Sequence, residues 1–212
     1  MAKRILFQGD SITDMGRSRE DENYNGVGYP TLVMGRLGYD NPEVYEFRNR
    51  GVSGNRIVDV YARIKSDIIN LKPDYMSLLI GVNDVWHDDW QNGVSAPKFE
   101  MVYDLLISEI KEALPEIKIM LMEPFLLKGL HTQGNENQPD RWEYLTREVS
   151  ARAEAVRRVA EKHGATFVPL QERFDEVSAN TENSYWLYDG VHPTAMGAEV
   201  IARAWLEAFQ TL

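Results

Sequence analysis

The chain has 212 residues, 43% hydrophobic and 26% charged, enough apolar material for a single domain over 1–212 with a sizeable core. Its formal net charge of −10 argues against nucleic acid and anionic membrane as partners, since both need a basic face. It holds no cysteine, which excludes disulfides, thiolate metal sites and a cysteine nucleophile.

Met1-Ala2-Lys3-Arg4 leads straight into an apolar run, and Lys3 to Gln8 reads as the first strand. Gln8, Asp10 and Asp14 interrupt any signal-peptide stretch, and no run approaches the ~18 residues of a membrane span. A cytoplasmic protein is therefore expected. Gly28-Tyr29-Pro30 opens a helix that runs through Leu37, with Pro30 at an allowed first-turn position. Val44 to Asn49 is the second strand. Ile57, Val60, Tyr61, Ile64, Ile68 and Leu71 fall at helical spacing, so the pattern predicts one helix over 56–71, ended by Pro73. Asp74 to Ile80 is apolar on both faces, as suits a central parallel strand.

A helix over 97–114 precedes the fourth strand, Ile117 to Met122. A long loop from Glu123 to about Asn137 follows, and its length hints at function or a subunit contact. Helix 140–162 ends at Gly164, and Ala165 to Val168 is the fifth strand. The glutamates and arginines of 141–162 read as a solvated helix face. A short helix near 170–178 and a last one from Pro193 to Phe209 complete the chain. This alternation implies right-handed crossovers and a three-layer α/β/α fold with a five-stranded parallel sheet in flavodoxin-like order.

In such a sheet the strand ends share one edge. Gly9-Asp10-Ser11, Asn49-Arg50-Gly51 and Gly81-Val82-Asn83-Asp84 should therefore converge, and the segment Asp189-Gly190-Val191-His192 can complete that edge. The residue types suit acyl transfer. Ser11 supplies a nucleophilic oxygen, His192 takes and returns its proton, and Asp189 orients the imidazole. The backbone N–H groups of Ser11 and Gly51 and the side-chain amide of Asn83 are candidate oxyanion donors.

These four blocks, in this order, resemble those of the SGNH (GDSL-type) hydrolases across almost the whole chain. Ile12 stands where that family often has leucine. The resemblance implies a flavodoxin-like fold, a metal-free Ser-His-Asp mechanism without cofactor, and ester or thioester substrates. It assigns Ser11 as nucleophile, His192 as base, Asp189 as its partner, and Gly51 and Asn83 as oxyanion donors. Gly9-Asp10-Ser11-Ile12-Thr13-Asp14, Ser53-Gly54-Asn55, Gly81-Val82-Asn83-Asp84-Val85-Trp86 and Val191-His192-Pro193-Thr194 are similar, more finely, to compact bacterial acetyl xylan esterases. That likeness implies removal of acetyl groups from a small acetylated carbohydrate, and a homo-oligomer. Two alternatives share the fold: a lipase, lysophospholipase or thioesterase acting on longer acyl chains, and a catalytically silent binding protein. The polar, aromatic-flanked loops favour sugar over lipid, and the full set of catalytic residue types disfavours a silent protein.

Asp10, Trp86, Trp186 and Tyr188 are candidates for substrate contact, because aromatic rings suit sugar faces, although such rings also fill cores and interfaces. Asp10, Asp14 and Asp84 are three carboxylates near the expected edge that could suggest a divalent cation, but Asp10 reads as a partner of backbone amides in neighbouring loops, which disfavours a metal site. Gly51-Val52-Ser53-Gly54 lacks the Gly-Lys-Ser/Thr ending of a phosphate loop. His87, His131 and His163 lack metal-ligand spacing and are assigned to the surface.

Overall fold

The computed structural model describes residues 2–212. Five strands, β1 (Lys3–Gly9), β2 (Tyr45–Asn49), β3 (Tyr75–Leu79), β4 (Lys118–Met122) and β5 (Thr166–Val168), form one sheet in the order β2-β1-β3-β4-β5, with every neighbouring pair parallel. This is the flavodoxin-like order expected from the strand–helix alternation. Gly9 pairs with Leu79, and Leu79 with Met122, so the chain leaves three central strands at one level. That level edge is where ligands bind in open α/β sheets.

The helices fill the connections. α1 (Ser11–Asp14) follows β1, and α2 (Tyr29–Asp40) leads to β2. α3 (Ile57–Ala62), α4 (Ile64–Asp67) and a 3-10 turn at Ile69–Leu71 lead to β3. α5 (Val82–Trp86), a 3-10 turn at His87–Trp90 and α6 (Ala96–Ala113) lead to β4. α7 (Arg141–His163) leads to β5, and α8 (Gln171–Ser178), α9 (Asn183–Trp186) and α10 (Ala195–Phe209) follow it.

Strand side chains alternate between two faces, and the two cores follow that period. Ile5 and Phe7 pack with Tyr29, Val33, Ile201 and Trp205, which come from α2 and α10. Leu6, between them, packs with Ile57, Phe99, Tyr103 and Val156 from α3, α6 and α7. Burying one such side chain contributes roughly 1.5–3 kcal/mol, so the two faces together hold the strand ends rigidly.

The single helix expected over 56–71 is in fact three short pieces, broken at Arg63 and again at Ile68. The apolar spacing survives, but the Arg63 guanidinium turns inward. It donates to the Gln8 side chain (2.8 Å), the Arg50 carbonyl (2.9 Å) and Asp67 (2.6 Å), and its backbone leaves helical geometry. The helix expected to end at Leu37 continues to Asp40. α7 is not solvated along its whole polar sequence either: Arg152 is 1% exposed and donates to the Val94 carbonyl (2.6 Å). His163 is also less exposed than expected, with its ring 2.7 Å from Asp104. No helix among the described residues is long and apolar enough to cross a membrane.

Candidate active site

The serine lies just beyond the end of β1. Asp10 caps α1 by accepting the Ile12 N–H at 3.0 Å, and Ser11 is the first helical residue. Its own N–H is thus one of the helix donors without an intrahelical acceptor. The Ser11 Oγ lies 2.8 Å from His192 Nε2, and His192 Nδ1 lies 2.7 Å from Asp189 Oδ2. A carboxylate only accepts, so the Nδ1 carries the proton and Nε2 is left to accept from the serine hydroxyl.

The other carboxylate oxygen, Oδ1, accepts the N–H groups of Val191 (2.9 Å) and His192 (2.8 Å). Asp189 is 4% exposed, and every bond it makes favours the ionised form. Burial alone would raise its carboxyl, but the hydrogen bonds from the His192 ring and from the His192 and Val191 amides outweigh it and hold it at about 2. In return, the bond to Asp189 raises the His192 imidazole above its ordinary value. Burial opposes this, and the charges of Asp189 and Asp10 add to it. Asp189 does not cap α10; Thr194 does, accepting from the Gly197 N–H.

The Asp189–His192 turn is held from outside by the loop that precedes α7. Leu127 N–H donates to the Gly190 carbonyl and His131 N–H to the Asp189 carbonyl, each at 2.9 Å. Gly190 has φ +99°, and a Cβ there would stand 2.7 Å from the Leu127 carbonyl oxygen, so only glycine closes this turn.

The oxyanion side is less fully prepared. Asn83, the second residue of α5, donates one Nδ2 hydrogen to the Asn55 carbonyl at 3.1 Å, and an amide carries two. Gly51 packs its backbone against Thr13 and Asp14, where a Cβ would meet the Thr13 carbonyl carbon at 2.8 Å. Its N–H, however, donates to Asn49 Oδ1 at 2.8 Å. This amide, a candidate oxyanion donor, thus already has an acceptor in this structure. Asn49, which sequence reasoning passed over, also donates its Nδ2 to the carbonyls of Thr13 (2.6 Å) and Asn25 (3.0 Å) and so ties β2 to the β1–α2 segment.

The substrate-contact candidates divide. Tyr188 stacks on the His192 ring with centroids 5.7 Å apart. Asp10 is buried beside the serine, and burial pushes its carboxyl up to about 7. Trp86 lies under the Arg141 guanidinium (4.8 Å) with the His131 ring near it, beside an open cleft of about 620 Å³ that Gln138 also lines. Trp186 turns elsewhere: its Nε1 donates to Thr181 (2.7 Å) and its ring lines a groove with Val177 and Met196. The carboxylates at the edge each serve the fold. Asp14 pairs with Arg19 (2.6 Å) and accepts from Ser53. Asp84, wholly buried, accepts the Ile57 N–H. His131, assigned to the surface, lies with Nδ1 3.6 Å from Asp189 Oδ2. No local sequence signal marks it, since two loops distant in sequence create that contact.

The profile of the GDSL-like lipase/acylhydrolase family matches residues 7–200. The chain belongs to this family. It is an ester hydrolase of the SGNH type. It is 36% identical to an acetylxylan esterase of Geobacillus stearothermophilus over 96% of this chain and 92% of that one. The structure of that organism's acetylxylan esterase Axe2 superposes with a TM-score of 0.83, at 34% identity over 97% of this chain and 93% of the other. A GDSL-like protein of Parabacteroides merdae superposes with a TM-score of 0.90, at 32% identity over 100% and 98% of the two chains. Two catalytic mutants of Axe2 replace a serine and an aspartate with alanine, two residue types of the bonded set described above.

Proposed function

We propose that this GDSL-family chain is a serine esterase that removes acetyl groups from acetylated xylo-oligosaccharides through an acyl-enzyme. The observation that carries the mechanism is the unbroken run of hydrogen bonds from the Ser11 hydroxyl through His192 to a buried, ionised Asp189. The acetylxylan esterase relatives support the substrate.

Ser11 Oγ attacks the acetyl carbonyl as its proton passes to His192 Nε2. Asp189 holds the ring and stabilises the imidazolium. The developing oxyanion faces the Ser11 N–H and the free Nδ2 hydrogen of Asn83. Gly51 adds a third donor only by sharing its N–H with Asn49 or releasing it. His192 returns the proton to the sugar oxygen as the C–O bond breaks. The acetyl group stays on Ser11, and water, deprotonated by His192, then releases it as acetate. Tyr188, stacked on His192, and Trp86, at the open cleft beside His131, offer aromatic faces for the sugar, and Asp10 fixes the serine turn.

We also propose a cytoplasmic location, with which a cysteine-free chain is consistent. A homo-oligomer completes the proposal, supported by large exposed side chains at Trp90, Leu130 and Tyr188 around the rim. Sedimentation of the purified chain tests the assembly, and a monomer at micromolar concentration would reject it.

Acetate release from a panel of acetylated xylo-oligosaccharides tests the activity. Release is expected, together with a higher kcat/KM for p-nitrophenyl acetate than for the octanoate. Preference for octanoate with no acetate release would point instead to a long-chain lipase or thioesterase of the same family.

A further inference from the structure

The chain holds 33 acidic against 23 basic residues, so carboxylates are in surplus. Every arginine among the described residues but one draws on that surplus and stands within ion-pair reach of an Asp or Glu oxygen. The exception is Arg17, in the segment that leaves α1, and the mechanism does not use it. It is half-buried, and burying a cation without a counter-charge costs stability.

Two carbonyls fix the Arg17 side chain. Its Nε donates to the Gly51 oxygen at 2.8 Å and its Nη1 to the Ser18 oxygen at 3.3 Å. A guanidinium carries more N–H groups than these two bonds use. Nη2 has no protein acceptor and is not buried, so its hydrogens open to solvent. The carboxylates nearby are already taken. Asp14 accepts from Arg19 (2.6 Å) and Ser53 (3.0 Å), Glu22 from Arg50 (2.7 Å), and Asp67 from Arg63 (2.6 Å). Burial first, then the like charges of Arg19, Arg50 and Arg63, lower the Arg17 guanidinium to about 10 against the pull of Asp14. It is still a cation at neutral pH, set in a locally positive patch of an acidic protein.

Its place ties this cation to the reaction. Bond lengths keep the Gly51 N within about 4 Å of its own carbonyl oxygen. Arg17 Nε therefore lies within about 7 Å of a candidate oxyanion donor, close enough to meet the sugar that carries the acetyl group or the next one.

We infer that Arg17 is a specificity-determining residue that binds a carboxylate borne by the oligosaccharide, so that the preferred substrate is an acetylated xylo-oligosaccharide carrying a uronic acid. This rests on the reading of the chain as an acetylesterase of such sugars. A planar fork already oriented by two carbonyls, with N–H groups to spare, suits a carboxylate, and the ligand supplies the counter-charge that the fold withholds.

Acetate release is measured on two acetylated xylo-oligosaccharides that differ only at the uronic acid, its carboxyl intact or reduced to the alcohol. The wild type should favour the acid in kcat/KM by about tenfold. Arg17→Gln should erase that preference, and Arg17→Lys, a point charge without the fork, should keep part of it. No preference in the wild type overturns the inference and leaves the esterase reading standing. A preference that survives Arg17→Gln overturns it too, including the case of equal losses on both substrates, which is what a latch on Gly51 alone would give. A second measurement needs no variant: the deacetylated acid should inhibit wild-type hydrolysis of p-nitrophenyl acetate about tenfold more tightly than the deacetylated alcohol, and equal inhibition contradicts the inference. A wild type that cleaves p-nitrophenyl acetate but releases no acetate from either sugar would remove the substrate reading, and this inference with it.

Discussion

The two sides of the rim differ in how far the fold has completed them. On the relay side every polar atom has a partner: Ser11 to His192, His192 to Asp189, and Asp189 to two amides. On the oxyanion side bonding is partial, with Asn83 spending one hydrogen on Asn55 and Gly51 lending its N–H to Asn49. The difference follows from what each side must do. A proton relay works best when its geometry is set before substrate arrives. An oxyanion hole must keep donors in reserve for a charge that does not yet exist. Preparation is therefore complete where the partner is protein and incomplete where the partner is the intermediate.

The comparison can be broken at several points. Ser11→Ala should give the largest loss, on the order of 10⁶-fold in kcat, measured with acetate release; a loss below tenfold would place the nucleophile elsewhere. Asp189→Asn keeps the shape but removes the acceptor that fixes the tautomer, so kcat should fall about 10⁴-fold. If Asp189→Asn cost no more than an oxyanion-side variant, the relay would not be the prepared side. Asn83→Ala should lower kcat about 10²- to 10³-fold with little change in KM, because that donor acts on the transition state. A rise in KM alone would mean that Asn83 binds ground-state substrate.

Smaller effects read the charges. The Asp189 bond raises the His192 imidazole, so kcat/KM should fall on acidification with a midpoint above the ordinary histidine value of about 6.5. Asp10 gives the finest test. Its folded carboxyl sits at about 7, against about 3.9 unfolded, so between those values the folded chain holds a proton that the unfolded chain has lost. Stability present below about pH 4 should decline as pH rises toward 7, and Asp10→Asn should flatten that slope in urea titrations. An unchanged slope would mean that Asp10 is ionised when folded.

Much of this was legible beforehand, for particular physical reasons. Short apolar runs alternating with helical periods announced a parallel sheet, because both of its faces are buried. Ser11 stood out in a polar, glycine-containing turn at the end of a predicted strand, and Asp189 and His192 in another just before the last predicted helix. What stayed hidden depended on contacts across the fold. The break at Arg63 follows from a side chain pulled toward Gln8 and Arg50 against an intact helical pattern. Asn49 looked like the end of a strand, and its hold on the Gly51 amide appears only when β2 lies beside β1. His131 reads as a loop residue until the segment before α7 crosses the Asp189 turn. Trp186 has the right neighbours in sequence, but the short α9 turns it toward Thr181.

The central claim is that the Ser11 hydroxyl is the group the relay activates. Treatment of the folded chain with a fluorophosphonate, followed by peptide mass mapping, tests it most directly. A single adduct on the peptide carrying Ser11, absent in Ser11→Ala and slowed in Asp189→Asn, is the expected result. An adduct on another residue, or none on the folded wild-type chain, would contradict it.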